Sequence, residues 1–298
     1  MKYRVLKRAK IEVSEIGFGT MSLEAHQAQN TKLIHTAFDG GITLFDTADI
    51  YQNGWNEESV GKAIKPFRKE VVLATKVGNV PHPEGKGLDW NPSKSHILKS
   101  VEESLKRLQT DYIDVYQLHG GTIEDQWEET VEAFEQLKEE GKILDYGISS
   151  IRPNVIKRFA RHTGIVSEML QYSLLDRRPE EEVLSLLEEN EVGVFVRGAL
   201  AKGKIANKRI SNTLDNDSES IDLMIDKVNS FSIENMTLSR MAIQWVLHAS
   251  AVTSVLVGVR TMDQLKDVLA VPNLPQMTQE VYDQLTELAP LTRYEKHR

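Results

Sequence analysis

The segment Val71-Val72-Leu73-Ala74-Thr75, followed later by Ile113-Asp114-Val115-Tyr116-Gln117-Leu118, decides the fold of this 298-residue chain. Both runs are short and almost continuously apolar, which is typical of parallel strands covered by helices. Between them, apolar residues recur at helical spacing, at Ile97, Val101, Leu105 and Leu108. Ser93 or Asn91 can cap the start of that helix. The stretch therefore predicts a strand–helix–strand unit of a parallel sheet.

The same alternation of short apolar runs and amphipathic segments continues in both directions. The further candidate strands are Ile16–Gly19, Ile42–Asp46, Tyr146–Ser149, Val166–Leu170, Val192–Val196 and Ser254–Val257. A chain of this pattern forms either a closed barrel or a doubly wound open sheet. The open dinucleotide-binding fold needs G-x-G-x-x-G after its first strand, and Gly17–Ser22 lacks the third glycine and stands too early. We therefore predict the α/β class and a (β/α)8 TIM barrel.

Additional elements are expected at both ends of the barrel. Tyr3–Leu6 and Ile11–Val13 predict an N-terminal β-hairpin, and Gln279–Leu288 predicts an extra C-terminal helix. Because no linker divides the chain, we expect residues 1–298 to form a single domain. The polar stretch Ala206–Ser220 follows the seventh predicted strand, where a loop on a barrel rim can serve as a lid.

Composition excludes several classes of function. The chain carries 36 Lys and Arg against 44 Asp and Glu, a formal net charge of −8, and no cysteine. The acidic balance argues against nucleic acid and anionic lipid as partners. The lack of cysteine excludes disulfides, zinc–thiolate sites and cysteine nucleophiles, and it suits a reducing cytosol. No apolar run reaches the roughly 20 residues of a membrane helix, so we expect a cytoplasmic protein.

Polar residues stand at the carboxyl ends of the predicted strands, where this type of barrel places its chemistry. In chain order they are Asp46, Lys76, His119, Ser149, Gln171 and Arg197. Tyr51 lies in the loop after the second strand. Each has an ordinary alternative explanation, since Asp46 and Lys76 can form a structural ion pair and a lone histidine is commonly a core residue.

Taken together, these residues predict a proton-donating site. Lys76 follows an apolar run, so its ammonium needs a partner, and Asp46 is the obvious one. An ammonium beside a tyrosine lowers the pKa of the phenol, which makes Tyr51 a candidate general acid. His119 can be a second donor to the same carbonyl oxygen. The set lacks a reductant, and hydride from a bound nicotinamide would supply it.

Four motifs then follow one another in the order of a known family. They are Phe45–Tyr51 with Gly54 and Asn56-Glu57, Leu73–Lys76, Asp111–His119, and Gly141–Ile143 through Gly147–Ser150. On these motifs the sequence resembles the aldo-keto reductase family from about Val5 to Leu269. The resemblance implies a (β/α)8 barrel and the reduction of an aldehyde or ketone by hydride and then proton transfer. It also implies catalytic roles for Asp46, Tyr51, Lys76 and His119 that agree with those above.

The resemblance is less complete around the nicotinamide. Ser149 stands where the family binds the carboxamide, whereas Ser150 replaces the usual asparagine. Met169 occupies the position of a family glutamine, for which Gln171 can compensate, and Met169 itself is expected to pack in the barrel. Arg197 stands where many members stack an aromatic ring, and a planar guanidinium can also stack.

The resemblance also implies contacts to the rest of a dinucleotide. Arg260 can bind a 2′-phosphate, which favours NADPH/NADP+ over NADH. Val257, Gly258 and Gln264 belong to the same segment, and the usual asparagine is Val268. The remaining predicted cofactor contacts are Asp46 again, Gly19, Thr20 and Met21 near the pocket floor, and Gly198, Leu200, Lys202 and Gly203 after the seventh strand.

The leading hypothesis is an NADPH-dependent reductase of a small-molecule carbonyl substrate. Trp55 and Trp90 can wall the pocket or pack against outer helices, with neither favoured. No metal is proposed, because His82 and His96 lack ligand spacing. The alternative hypotheses are a redox-sensing regulatory subunit that holds NADP(H) and binds a protein partner, and a TIM-barrel lyase or isomerase.

Overall fold

A closed barrel of parallel strands forms the centre of the molecule. The computed structural model describes residues 1–82, 84–205, 237–289 and 291–298, together with Asp226 and Ser230. The barrel strands in chain order are Ile16–Gly19, Leu44–Asp46, Val72–Val77, Ile113–Leu118, Ile143–Ile148, Ser167–Gln171, Gly193–Arg197 and Val252–Val257. Consecutive strands pair in parallel, and the eighth pairs with the first. The predicted TIM barrel is confirmed.

Helices surround the barrel between the strands. The described helices are Gln27–Asp39, Trp55–Ile64, Lys94–Leu108, Trp127–Glu139, Pro153–His162, Val183–Glu189, Leu238–His248, Met262–Ala270 and Gln279–Leu288. The predicted cap at Ser93 is present, because its hydroxyl accepts the His96 backbone N–H. The last helix has the predicted bounds. It is joined to the surrounding helix Leu238–His248 through a hydrogen bond from Trp245 Nε1 to Thr286 Oγ1. No helix in the described ranges combines the length and apolar character required to cross a bilayer.

The N-terminal hairpin closes one end of the barrel. Tyr3–Leu6 pairs antiparallel with Ile11–Ser14, as the sequence predicts to within one residue. Leu6 and Val13 are fully buried among the side chains that fill the barrel, including Val72 and Phe195. Since this apolar plug occupies the amino end, access to the interior is left at the carboxyl end of the strands.

Alternation along the strands determines which residues point into the open end. Leu44, Ala74 and Phe195 belong to the apolar filling of the barrel. Side chains two residues apart share a face of a strand, so Asp46, Lys76 and Arg197 point inward one layer higher. This periodicity brings three charged groups from separate strands to one opening.

Some strand bounds differ from prediction. The third strand extends to Val77, so Lys76 lies within it rather than after it, and the fifth begins at Ile143 instead of Tyr146. In both cases a charged residue interrupts the apolar run but has a partner, Asp46 for Lys76 and Lys138 for Asp145. A small hairpin of Asn79–Pro81 with Leu88–Trp90 was not predicted, and the proposed lid Ala206–Ser220 lies outside the described residues.

Candidate active site

A cavity of about 430 Å³ opens at the carboxyl end of the barrel. Its lining residues are Met21, Ile50, Tyr51, Lys76, Asn79, His119, Gly120, Ser149, Ser150, Ile151, Arg152, Met169 and Arg197. Three of the four predicted catalytic residues are therefore among its walls. The fourth, Asp46, lies directly behind one of them.

A buried ion pair links the second and third barrel strands. Lys76 Nζ lies 2.6 Å from Asp46 Oδ1 and 2.6 Å from the Thr47 carbonyl oxygen, to both of which it donates. Burial alone lowers the pKa of Lys76, but the charge of Asp46 and the nearby Tyr51 outweigh it, so that pKa is raised above its ordinary value. Lys76 is therefore an ammonium at neutral pH, held in one position by two acceptors.

Tyr51 lies between this ammonium and His119. The Lys76 Nζ atom is 5.2 Å from the centre of the Tyr51 ring. The ring centres of Tyr51 and His119 are 6.1 Å apart, with their planes at 82°. Burial raises the pKa of Tyr51 by more than Lys76 lowers it. The prediction of a net lowering of this pKa is thus wrong, and the phenol stays protonated at neutral pH, as a proton donor requires.

His119 is a neutral imidazole in this setting. Burial, and secondly the positive charges of Lys76 and Arg197, lower its pKa to about 3. Its Nδ1 atom is buried and has no hydrogen-bond partner within the described part of the chain. The backbone on either side is fixed, because the His119 N–H donates to Val77 and its carbonyl accepts Asn79 Nδ2 at 2.8 Å. A neutral imidazole carries one N–H group, and that group can donate a hydrogen bond to a carbonyl oxygen.

The turn that carries Tyr51 has unusual backbone geometry. Gln52 and Asn53 have φ values of 51° and 54°, and Gly54 has a φ of 86°. Such left-handed conformations cost energy for residues other than glycine, so the surroundings must enforce them. Gln52 Nε2 donates to the Leu23 carbonyl at 2.6 Å, and a Cβ at Gly54 would come within 2.8 Å of Arg107. The Gln52 hydrogen bond holds the backbone next to Tyr51, and the space beside Gly54 leaves no room for a side chain.

A second set of ionisable side chains lies on either side of this turn in the sequence. Glu57 is fully buried and accepts hydrogen bonds from Thr75 Oγ1 and Arg107 Nε, each at 2.6 Å. Asp49 lies two residues before Tyr51 and accepts the Ile50 backbone N–H at 2.7 Å. Burial raises the pKa of Asp49 to about 7, and the Glu57 carboxylate adds to that shift.

This shift makes stability depend on pH. The folded protein keeps a proton on Asp49 that the unfolded chain releases above its ordinary pKa of 3.8, so stability falls as pH rises toward about 7. Asp49→Asn cannot ionise and keeps the acceptor oxygen. We expect it to raise the free energy of unfolding by about 2–4 kcal/mol at about pH 8 and by little at about pH 4. Urea unfolding of the wild type and this variant across pH measures the difference.

The control is Asp111→Asn, since Asp111 is exposed. It should leave the stability of the protein unchanged across the same pH range. An Asp49→Asn variant that is equally stabilised at both pH values would contradict the assignment of the titration to this carboxyl group.

Four of the predicted cofactor contacts line the cavity: Met21, Ser149, Ser150 and Arg197. The Ser150 backbone N–H donates to the fully buried Glu168 at 3.0 Å, which fixes the loop after the fifth strand. Gln171 does not line the cavity, because its amide bridges Asp176 Oδ2 at 2.8 Å and Arg197 Nη1 at 3.0 Å. Met169 packs in the barrel interior, as expected, and also lines the cavity floor.

The predicted dinucleotide contacts after the eighth strand lie on a neighbouring surface. Arg260 is exposed just before the helix Met262–Ala270, and its Nε donates to the Ser22 carbonyl at 3.3 Å. Val257 is buried, and Gly258 is exposed beside Ser22 and Gly19. The side-chain oxygen of Gln264 accepts the Arg260 and Thr261 N–H groups as part of a capping box.

Other predicted contacts are engaged elsewhere or lie outside the cavity. Thr20 is fully buried, and its hydroxyl lies 2.7 Å from the Asp46 carbonyl oxygen and 2.6 Å from Asn56 Oδ1, so its one proton can be donated to either of them. Gly198, Leu200 and Gly203 form the turn after the seventh strand but do not line the cavity. Lys202 lies in the same turn, and its side chain is outside the described part of the structure.

Part of the cavity wall was not predicted from the sequence, and the sequence favoured neither of two positions for Trp55 and Trp90. Neither Trp55 nor Trp90 lines the cavity. Trp90 instead packs against Gly78 and Gly120, and its indole N–H donates to Asp125 at 3.0 Å. The missed lining residues are Ile50, Asn79, Gly120, Ile151 and Arg152, all in segments that follow barrel strands. Their position after a strand is the sequence signal from which these residues could have been predicted to line the cavity.

Among the described residues no cluster of potential metal ligands is found.

Tyr51, Lys76, Asp46 and His119 thus lie together at the open end of a TIM barrel. Residues 15–290 match the model of the Aldo/keto reductase family, and the chain belongs to that family. Family members generally bind NAD(P)H and act on small-molecule carbonyl compounds.

Relatives of known sequence or structure agree with this assignment. The chain is 43% identical over 315 aligned positions to the uncharacterised oxidoreductase YqkF of Bacillus subtilis, with 100% of both proteins covered. It is 43% identical to the holo form of the aldo-keto reductase AKR11C1 from Bacillus halodurans, with a TM-score of 0.94 over 100% of this chain and 99% of that one. The NADH-specific methylglyoxal reductase of Escherichia coli is 28% identical, with 92% of this chain and 94% of that protein covered.

Proposed function

We propose that this protein reduces aldehyde or ketone carbonyls with NADPH, with Tyr51 as the proton donor. The observation that carries the proposal is the convergence of Tyr51, Lys76 and His119 on one cavity, with Lys76 Nζ hydrogen-bonded to Asp46 at 2.6 Å.

We also propose that residues 1–298 form a single domain. A cytoplasmic location is proposed from the cysteine-free sequence.

The residues present fit a nicotinamide nucleotide. Ser149 and Ser150 supply polar groups at one wall of the cavity, and Arg197 presents an exposed guanidinium beside them. Arg260 adds a second exposed guanidinium next to the helix Met262–Ala270, whose amino end favours negative charge. When bound, the nucleotide would supply hydride to the carbonyl carbon.

The side chains of the cavity would then bind and protonate the carbonyl oxygen of the substrate. The protonated phenol of Tyr51 and the neutral ring of His119 can both donate a hydrogen bond to that oxygen, which favours the negative charge that develops on it. Tyr51 gives up its proton to form the alcohol. The Lys76 ammonium stabilises the resulting phenolate, and Asp46 keeps the ammonium in place.

The basic test is a reductase assay. The purified protein is mixed with NADPH and a panel of aldehydes and ketones, and the loss of NADPH absorbance is followed. We expect turnover of at least one aldehyde that stops when the carbonyl substrate is omitted. Tight NADP(H) binding with no turnover of any carbonyl compound, together with a co-purifying protein, would instead favour the regulatory subunit. The intact set of four catalytic side chains argues against that alternative.

Nucleotide preference tests the role proposed for Arg260. Because the Escherichia coli relative is named as NADH-specific, both nucleotides should be compared. Charged hydrogen bonds to a phosphate are worth about 1.5–3 kcal/mol, so Arg260→Gln should weaken NADPH binding about 10- to 100-fold. NADH binding should change by less than about threefold. Fluorescence titration with each nucleotide measures the two dissociation constants.

The control for this experiment is Arg161→Gln, an exposed arginine on the helix Pro153–His162. It should bind both nucleotides as the wild type does. Equal weakening of both nucleotides in Arg260→Gln would show that the arginine only holds the Ser22 segment, to which its Nε donates.

A further inference from the structure

We propose that the preferred substrates are carbonyl compounds that carry a carboxylate, and that Arg152 binds this group. The inference rests on the proposed reductase function and names its substrate class. Reduction leaves the anion unchanged: the carbonyl carbon receives hydride, the oxygen receives the Tyr51 proton, and the carboxylate serves only to bind and orient the substrate.

The charge of the cavity differs in sign from that of the whole chain. The protein has a formal net charge of −8, yet the cavity is lined by Lys76, Arg152 and Arg197 and by no aspartate or glutamate of the described residues. Asp46 neutralises Lys76 from behind. The two guanidinium groups therefore leave the cavity positively charged, which attracts anions and disfavours cations.

Arg152 has no acidic partner in the described ranges of the chain. Its Nη1 atom donates to the Gly121 carbonyl, and its backbone N–H donates to Ser150 Oγ at 3.2 Å. No ion pair of the described residues includes it. A partly buried guanidinium that donates to one neutral oxygen keeps further N–H groups available for a carboxylate.

The position of Arg152 suits the substrate rather than the nucleotide. Arg197 is the last residue of the seventh strand, where the nicotinamide is expected, and its Nη1 donates to Gln171 Oε1. Arg152 instead reaches the carbonyl of Gly121, two residues beyond His119. Because residue 120 is a glycine with a φ of 142°, no side chain at that position separates His119 from Arg152. A carbonyl beside His119 can thus carry an anionic group toward Arg152.

The neighbouring wall restricts the body of such a substrate. Ile50, Ile151 and Met21 line the same cavity, so the part between the carbonyl and the anion should be apolar. The geometry points to an aromatic or short aliphatic aldehyde that ends in a carboxylate.

A pair of aldehydes that differ only in charge tests the inference. The probes are 4-carboxybenzaldehyde and its methyl ester, each with NADPH. We expect the wild type to reduce the acid with a kcat/KM at least about tenfold above that of the ester. Arg152→Met should lower kcat/KM for the acid about 10- to 100-fold and change that of the ester by less than about threefold. The kcat/KM of Arg152→Lys for the acid should lie between those of the wild type and Arg152→Met, because lysine keeps the charge but lacks the planar guanidinium that binds a carboxylate through two N–H groups.

Arg158→Met provides the matched control. Arg158 lies on the adjoining helix, donates to the Ile123 carbonyl at 2.8 Å and does not line the cavity. It loses the same charge and should retain the preference for the acid. A wild type that reduces acid and ester equally, or an Arg152→Met variant that loses both equally, would overturn the inference and leave the reductase function standing.

A binding measurement separates this inference from the reductase function. Calorimetric titration with terephthalate needs no turnover. We expect binding to the wild type and to Arg158→Met, and at least about tenfold weaker binding to Arg152→Met. That result with no reduction of either aldehyde would refute the proposed function but retain the anion site. Equal binding to all three proteins would refute the anion site.

Discussion

Replacing Tyr51 by phenylalanine is expected to abolish most of the reductase activity while the protein folds and binds nucleotide normally. The phenyl ring keeps the packing against His119, 6.1 Å away between ring centres, and against the Lys76 ammonium. Only the O–H group is removed. Since a positioned general acid contributes about 10²- to 10⁴-fold to a rate, kcat/KM should fall by that factor.

The measurement combines steady-state kinetics with NADPH titration. The dissociation constant of NADPH should change by less than about threefold, because no nucleotide contact is assigned to the phenol oxygen. Tyr112→Phe is the control, as Tyr112 packs under the Arg68 guanidinium at 4.1 Å and does not line the cavity. Turnover of Tyr51→Phe within a few-fold of the wild type would refute the proton-donor assignment.

The sequence predicts the barrel and its charged opening well, because both depend on local patterns. The apolar alternation of strands such as Ile113–Leu118 is a local property, and inward-facing positions repeat every second residue. A lysine inside an apolar strand requires a buried partner. The pairing of Lys76 with Asp46 therefore follows from two short segments and the parallel order of the strands.

Features that depend on the balance between opposing interactions of residues far apart in the sequence were not predictable in the same way. The pKa of Tyr51 is set by burial against the opposing charge of Lys76, and the sequence does not reveal which is larger. Gln171 is drawn away from the cavity by Asp176 and Arg197, neither of which its own position in the strand identifies. Arg152 lies in a helix-capping loop, where a sequence pattern cannot distinguish an exposed arginine from one that faces a cavity.

The buried pair of Asp46 and Lys76 should respond to single and double replacement in opposite ways. Lys76→Met leaves a carboxylate that is only 5% exposed without its partner, and Asp46→Asn leaves an ammonium that is 1% exposed. Removing one member of a buried pair costs about 3–5 kcal/mol, because the remaining charge is desolvated and uncompensated. Each single variant should therefore unfold at a markedly lower urea concentration and lose reductase activity.

The double variant, Asp46→Asn with Lys76→Met, separates the structural role from the catalytic one. It contains no buried charge at this position, so most of the lost stability should return. Activity should not return, since no ammonium remains to stabilise the Tyr51 phenolate. Lys62→Met is the control: Lys62 pairs with Glu58 at 3.8 Å on an exposed helix face, and its loss should cost less than about 1 kcal/mol. If the double variant is as unstable as either single variant, the two charges do not compensate each other, and if it is active, the ammonium has no part in proton transfer.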